Sequence, residues 1–211
     1  GATGVDISRP MLARARERAA AMGLNQATFV EGDAQTNAFE AGVFDAVISR
    51  FGVMFFSDPA TALANIRRAL EKGGRLTFMC WRPLKENPWA AVPLMAAAQH
   101  VEMPPPPEPH APGPFGLADG ERTKRVLESA GYAEVSVEPY DRPMPIGNAG
   151  TLEEAVEFSM NLGPVSAVLV DKPDDVRAAV REALGAALAP YHGARGVELD
   201  SAAWLVSARN P

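Results

Sequence analysis

Residues 1–8, Gly1-Ala2-Thr3-Gly4-Val5-Asp6-Ile7-Ser8, read as a β-strand that ends in an aspartate and turns straight into a helix. Ser8 suits the N-cap, and Pro10 falls in the first turn, where its missing N–H removes no intrahelical bond. Leu12, Ala15, Ala19 and Met22 recur at helical spacing, and Gly23 suits a left-handed helix end. Residues 27–31 form a short strand leading into Gly32-Asp33. A doubly wound sheet carries a first strand and a glycine-rich loop roughly 20 residues before such an acidic strand end. No such segment stands here, so the sequence is expected to lack both and to be truncated at its N-terminus.

Outward from this unit the pattern continues. Residues 44–49 (FDAVIS) are an apolar run bounded by turns, as in a parallel strand buried on both faces. Asp58 suits the cap of a helix beginning at Pro59, with Leu63, Ile66 and Leu70 as its buried stripe and Lys72-Gly73-Gly74 as its stop. Residues 75–81 (RLTFMCW) are the next buried strand. Alternating strands and helices predict an α/β fold, a parallel sheet with helices on both faces.

The second half changes character. Residues 89–101 are helix-like, and the proline cluster 103–115 (MPPPPEPHAPGPF) favours a semi-rigid strap. A helix over 119–130, with Val126 and Leu127 inward, ends at Gly131 and precedes a strand over 135–140. Helices follow over 152–162 and 174–188, and a strand over 202–208 is expected to pair antiparallel with 135–140 at one edge. The expected organisation is a partial binding core over 1–83 and a proline-rich cap over 84–118. Residues 119–211 then complete the core sheet and carry a helical insert at about 150–195.

Composition narrows the function. With 211 residues and 47% hydrophobic content the chain can bury a core as one domain with a cap. A net charge of -6 argues against a nucleic-acid partner, which calls for a basic face. The single cysteine, Cys80, excludes a disulfide framework and a multi-cysteine zinc site, and His100, His110 and His192 lack metal-ligand spacing. No metal is expected. No apolar run reaches the ~18 residues of a membrane span, and the first residues do not read as a signal peptide, so a cytoplasmic location is expected.

Two strand ends carry the chemistry. Asp6, at the C-terminal tip of a parallel strand, lies where open α/β sheets bind ligands. Its carboxylate can accept two hydrogen bonds from a ribose diol, or serve only as a turn residue beside Ser8. Glu31-Gly32-Asp33-Ala34 ends the next strand; Gly32 would let a flat base approach the backbone, and Asp33 could accept from an exocyclic amine. Gly-Asp is also a common turn. The order carries the weight: an acidic strand end, a helix, then a second acidic strand end.

At this point the chain resembles the class I S-adenosylmethionine-dependent methyltransferases, most of all the small-molecule group of ubiquinone/menaquinone-type C-methyltransferases. The matching stretches are 4–11 (GVDISRPM), 29–34 (FVEGDA), 44–50 (FDAVISR), 69–76 (ALEKGGRL) and, further on, 127–132 (LESAGY). The resemblance implies a Rossmann-like sheet with an antiparallel C-terminal strand pair, S-adenosyl-L-methionine as cofactor and methyl transfer to a small molecule. It implies that Asp6 holds the ribose, Ile7 packs on the adenine, Asp33 reads the adenine amine and Ala34 supplies a backbone contact. Ser49 and Arg50 would line the pocket floor near the methionine portion. The family's glycine-rich loop is missing and its Pro-Gly-Gly reads Lys72-Gly73-Gly74. In the family's strand order the missing strand lies between those ending at Asp6 and at Ser49. Unpaired inner edges and impaired cofactor binding are therefore expected.

Phe51, Trp81 and Arg82 follow strands on the ligand side and are candidates for substrate contact; packing, or a surface ion pair for Arg82, is the alternative. Phe55-Phe56 share that side. No residue is assigned as general base. A nicotinamide-dependent Rossmann oxidoreductase of the short-chain type would need a Tyr-x-x-x-Lys pair, and Tyr132, Tyr140 and Tyr191 are followed four residues on by Ser136, Met144 and Arg195. A third alternative is a non-catalytic nucleoside-binding domain. The strap and the late helices are the expected lid.

Overall fold

The computed structural model describes residues 1–147 and 150–211. The chain forms two compact units, one of residues 1–78, 121–136 and 206–211, the other of residues 79–120 and 137–205.

In the first unit β1 (Ala2–Asp6) and β2 (Ala27–Glu31) pair in parallel, Ala2 opposite Ala27 through Asp6 opposite Glu31. Parallel strands need a crossover, and α1 (Arg9–Ala21) supplies it. Ser8 caps α1 by accepting from Met11 N, and Leu12 and Ala19 are its buried residues. Next come β3 (Phe44–Arg50), a 3-10 turn (Val53–Phe55) and α2 (Pro59–Ala69). Asp58 caps α2, its Oδ1 accepting Thr61 N at 3.1 Å and its Oδ2 accepting Thr61 Oγ1 at 2.6 Å. Ala62, Leu63, Ile66 and Ala69 form the buried stripe.

That helix stops sooner than its sequence suggests. Ala69 is its last residue, Leu70 opens β4 (Leu70–Trp81), and Lys72-Gly73-Gly74 lie inside the strand. Gly73 takes φ +78°, where a side chain would be strained, and its N–H reaches Asn210 O at 2.8 Å. The lysine-glycine pair therefore shapes a strand rather than ending a helix.

The remaining elements are α3 (Pro88–Ala97), α4 (Gly120–Ser129), β5 (Ala133–Pro145), α5 (Leu152–Asn161), α6 (Pro164–Val168), α7 (Asp174–Leu188), β6 (His192–Gly193) and β7 (Gly196–Arg209). The proline cluster 103–115 is neither helix nor strand. The larger sheet has the order β3-β4-β7-β5, with β6 on β7. Ile146 N bonds Val197 O, Ser201 Oγ bonds Arg142 O and Arg209 pairs with Glu134. Partner numbers fall as β7 advances, so β5 and β7 are antiparallel, as expected for the late strand pair.

The smaller sheet holds β1 and β2 alone. Among the described residues no ladder joins β1 to β3, so each presents an unpaired edge. β3 departs from the sequence reading in its burial: Asp45, Ala46 and Ile48 are exposed, Ile48 by 84%. β3 hydrogen-bonds to β4 on one side only, and Asp45, Ala46 and Ile48 stand uncovered along a cleft.

In the second unit α3, α5, α6 and α7 share a core in which Ala97, Ala155, Val165, Val180, Leu184 and Leu188 are almost wholly buried. Thr151 and Glu154 form a reciprocal capping box that starts α5. No described helix is long and apolar enough to cross a membrane.

Candidate binding cleft at the strand ends

A cleft of ≈ 700 Å³ opens in the first unit, and Asp6, Ile7, Gly32, Asp33, Ala34 and Ser49 all line it. Local turns fix both carboxylates. Asp6 Oδ1 accepts Ser8 N at 2.8 Å, and Asp33 Oδ1 accepts Gln35 N at 2.8 Å. Each aspartate thus engages the amide two residues on, a turn that Asp forms readily. Both side chains are exposed, and among the described residues no donor occupies either Oδ2. Gly32 N donates to Asp6 O at 3.0 Å and ties the two strand tips together. The result is a pair of oriented anionic acceptors at adjacent tips.

Apolar surface stands beside them. Ile7 is 73% exposed, and Phe39, Phe44, Phe55 and Phe56 also line the cleft. The cleft continues along residues 1–3 and 44–48, the unpaired edges of β1 and β3.

Gly32 lines the cleft, and a Cβ there would lie 3.0 Å from Asn37 Oδ1, so the missing side chain also makes room for Asn37. Ala34 places its carbonyl on Asn65 Nδ2 at 2.9 Å. Ser49 lies on the cleft wall; Arg50 and Phe51 are not among its lining residues. Phe51 holds φ +61°, a left-handed conformation uncommon for a bulky side chain.

Trp81 and Arg82 belong to the second unit. The Trp81 ring lies 4.8 Å from that of Trp89. Arg82 Nη1 reaches both Asp141 oxygens at 3.0 and 2.9 Å, its Nη2 pairs with Glu86, and its guanidinium lies over Trp204. These two acids hold the guanidinium in an ion-pair network. A depression of ≈ 430 Å³ adjoins this group. Cys80 is buried against Leu117 O, and desolvation pushes its thiol up to about 12, which leaves it unreactive.

Sequence reading missed Gln35, Asn65, Phe39 and Phe44. Gln35 sits two residues past an acidic strand end. Asn65 interrupts the apolar stripe between Leu63 and Ile66, a weak signal that its amide has a partner elsewhere.

Residues 1–78 match the family described as "Methyltransferase domain". Over 151 residues the chain is 34% identical to the demethylmenaquinone methyltransferase of Thermus thermophilus, covering 66% of this chain and 56% of that protein. Over these stretches the chain is similar to methyltransferases.

The methyltransferase match ends at Phe78, where the first segment of the first unit also ends, and contains every residue lining the cleft. Solved structures agree on the fold. The YcgJ protein of Bacillus subtilis superposes with a TM-score of 0.59 at 16% identity, covering 98% of this chain and 81% of that one. Phosphoethanolamine N-methyltransferase 2 of Haemonchus contortus, solved with S-adenosyl-L-methionine, gives 0.53 at 20% identity, covering 99% of this chain and 43% of that one. The chain spans about half the length of the Thermus relative. These comparisons favour the methyltransferase over the nicotinamide-dependent oxidoreductase.

Proposed function

We propose that the cleft binds S-adenosylmethionine and that the protein transfers its methyl group to a small-molecule acceptor. The observation that carries this reading is the pair of pre-oriented carboxylates, Asp6 and Asp33, at the tips of paired parallel strands. Their chemistry fits the nucleoside half of the cofactor: Asp6 accepts from the ribose hydroxyls and Asp33 from the adenine amine. Ile7 and the phenylalanines offer apolar surface to the ring, and Ser49 lines the wall toward the methionine portion. The bound sulfonium supplies an already activated methyl group. The protein's own task is then to align donor and acceptor and to exclude water.

Residues 79–211 lie outside the family match and are proposed to carry acceptor specificity, since loops and inserts vary more than the scaffold. By its name the Thermus relative acts on demethylmenaquinone. Quinols, phenols and small acids are accordingly the acceptors to screen for release of S-adenosylhomocysteine. A cytoplasmic location goes with this reading, since the lone thiol of Cys80 suits a reducing compartment.

Calorimetry with S-adenosylhomocysteine tests the proposal. A charge-assisted hydrogen bond contributes ~1.5–3 kcal/mol, so Asp6→Ala is expected to weaken binding roughly tenfold to a hundredfold. Tight NADH binding with no response to the adenosyl ligand would overturn the reading.

A further inference from the structure

The loop that carries Asp33 is held by α2 through two amide side chains. Asn65 Nδ2 donates to Ala34 O and to Asn37 O, both at 2.9 Å, so one NH₂ group bridges two carbonyls of the same loop. Its Oδ1 accepts Arg68 Nη2 at 2.9 Å, which fixes which end of the amide faces the loop. Gln35 works from the loop outward: its Oε1 accepts Ser57 Oγ at 3.1 Å and Asp58 N at 3.0 Å. Asp58 is the N-cap of α2, so the loop meets that helix at its start and again two turns along. Within the loop, Asp33 O accepts Thr36 N at 3.0 Å and Asn37 N at 2.7 Å, while the Asn37 side chain packs over Gly32. Each bond limits how far Asp33 can swing.

We infer that Asn65 and Gln35 are positioning residues that set the direction of the Asp33 carboxylate and thereby its reading of the adenine amine. The inference rests on the cofactor reading above. Neither residue touches the ligand in this role; both act through the loop. Asparagine is required at 65 by chemistry: leucine removes both donors at similar volume, and aspartate sets a carboxylate against two carbonyl oxygens.

The test is a double-mutant cycle by calorimetry with S-adenosylhomocysteine on the 211-residue chain. Asn65→Leu is expected to lower affinity roughly threefold to tenfold, for two neutral hydrogen bonds lost from a preorganised loop. Asn65→Asp should cost at least as much. The decisive readout is coupling with Asp33→Ala. Most of the cost of Asp33→Ala should vanish in the Asn65→Leu background, together with discrimination against the inosine analogue, which lacks the exocyclic amine. A residue needed only for folding would lower the melting temperature while leaving the Asp33→Ala cost and the adenine preference intact, and that result overturns the inference. If Asn65→Leu does not fold, Gln35→Leu carries the same cycle, because its partners lie at the half-exposed start of α2. Tight NADH binding by the unmodified chain with no response to S-adenosylhomocysteine would sink the cofactor reading itself. Binding that Asp6→Ala weakens while the Asn65 and Gln35 variants do not would sink only this one.

Discussion

β3 and β4 are neighbours in one sheet, and both grow from apolar runs, FDAVIS and RLTFMCW. In β4 Leu76, Phe78 and Cys80 are at most 1% exposed, whereas Ile48 in β3 is 84% exposed. The two strands also differ in what flanks them. β4 hydrogen-bonds to β3 on one side and β7 on the other; β3 has β4 alone, and its second edge opens on the cleft. Apolarity identifies a strand, but neighbours decide whether it is buried. The cleft therefore opens where the strands are less covered.

Side-chain truncation is the strongest test of that contrast. Phe78→Ala should cost ~3–5 kcal/mol of stability, the usual range for a large buried side chain. Ile48→Ala should stay within ~0.5 kcal/mol, as for an exposed position. Urea unfolding of both variants checks the pair. Equal costs would mean that β3 is covered in solution and that the contrast is wrong.

A smaller effect is expected on association. An unpaired, apolar strand edge invites edge-to-edge pairing, and a lysine there opposes it. Ile48→Lys should reduce concentration-dependent light scattering and leave the melting temperature nearly unchanged. Scattering equal to that of the unmodified chain would show that the β3 edge is not where molecules meet.

How much of this was legible beforehand follows from range. α1 and α7 were readable because helical periodicity, caps and glycines lie within one segment; α7 spans the expected Asp174–Leu188. α6, five residues long, is too short to show a period. The end of α2 was misread because a Lys-Gly-Gly run that breaks helices also fits a strand in which one glycine takes positive φ. The same division runs through the site. Asp6 and Asp33 were visible because each builds its turn with the amide two residues on. Asn65 was not, because its partners lie 31 and 28 residues away and only the fold brings them together. At Gly32 the crowding by Asn37, five residues on, was not legible either, because it depends on how the loop folds back.

The smallest expected effect concerns the cap that starts α2 on the cleft side. Bonds from the Thr61 hydroxyl and then the Thr61 amide hold the Asp58 carboxyl below its ordinary value of 3.8. A carboxylate whose folded value lies below its unfolded one stabilises the fold above the unfolded value. That contribution is lost as pH falls toward and through the folded value. At pH 7 Asp58→Ala should lower the melting temperature by roughly 2–4 °C, a typical N-cap loss in a chain of this size. As pH falls below 3.8 the gap between the unmodified chain and Asp58→Ala should narrow. Asp58→Asn separates charge from capping, since an amide oxygen still accepts from Thr61 N but does not titrate. Its advantage over Asp58→Ala should persist at every pH. A gap between the unmodified chain and Asp58→Ala that stays constant down to about pH 2 would mean that the carboxylate caps α2 no better than its protonated form.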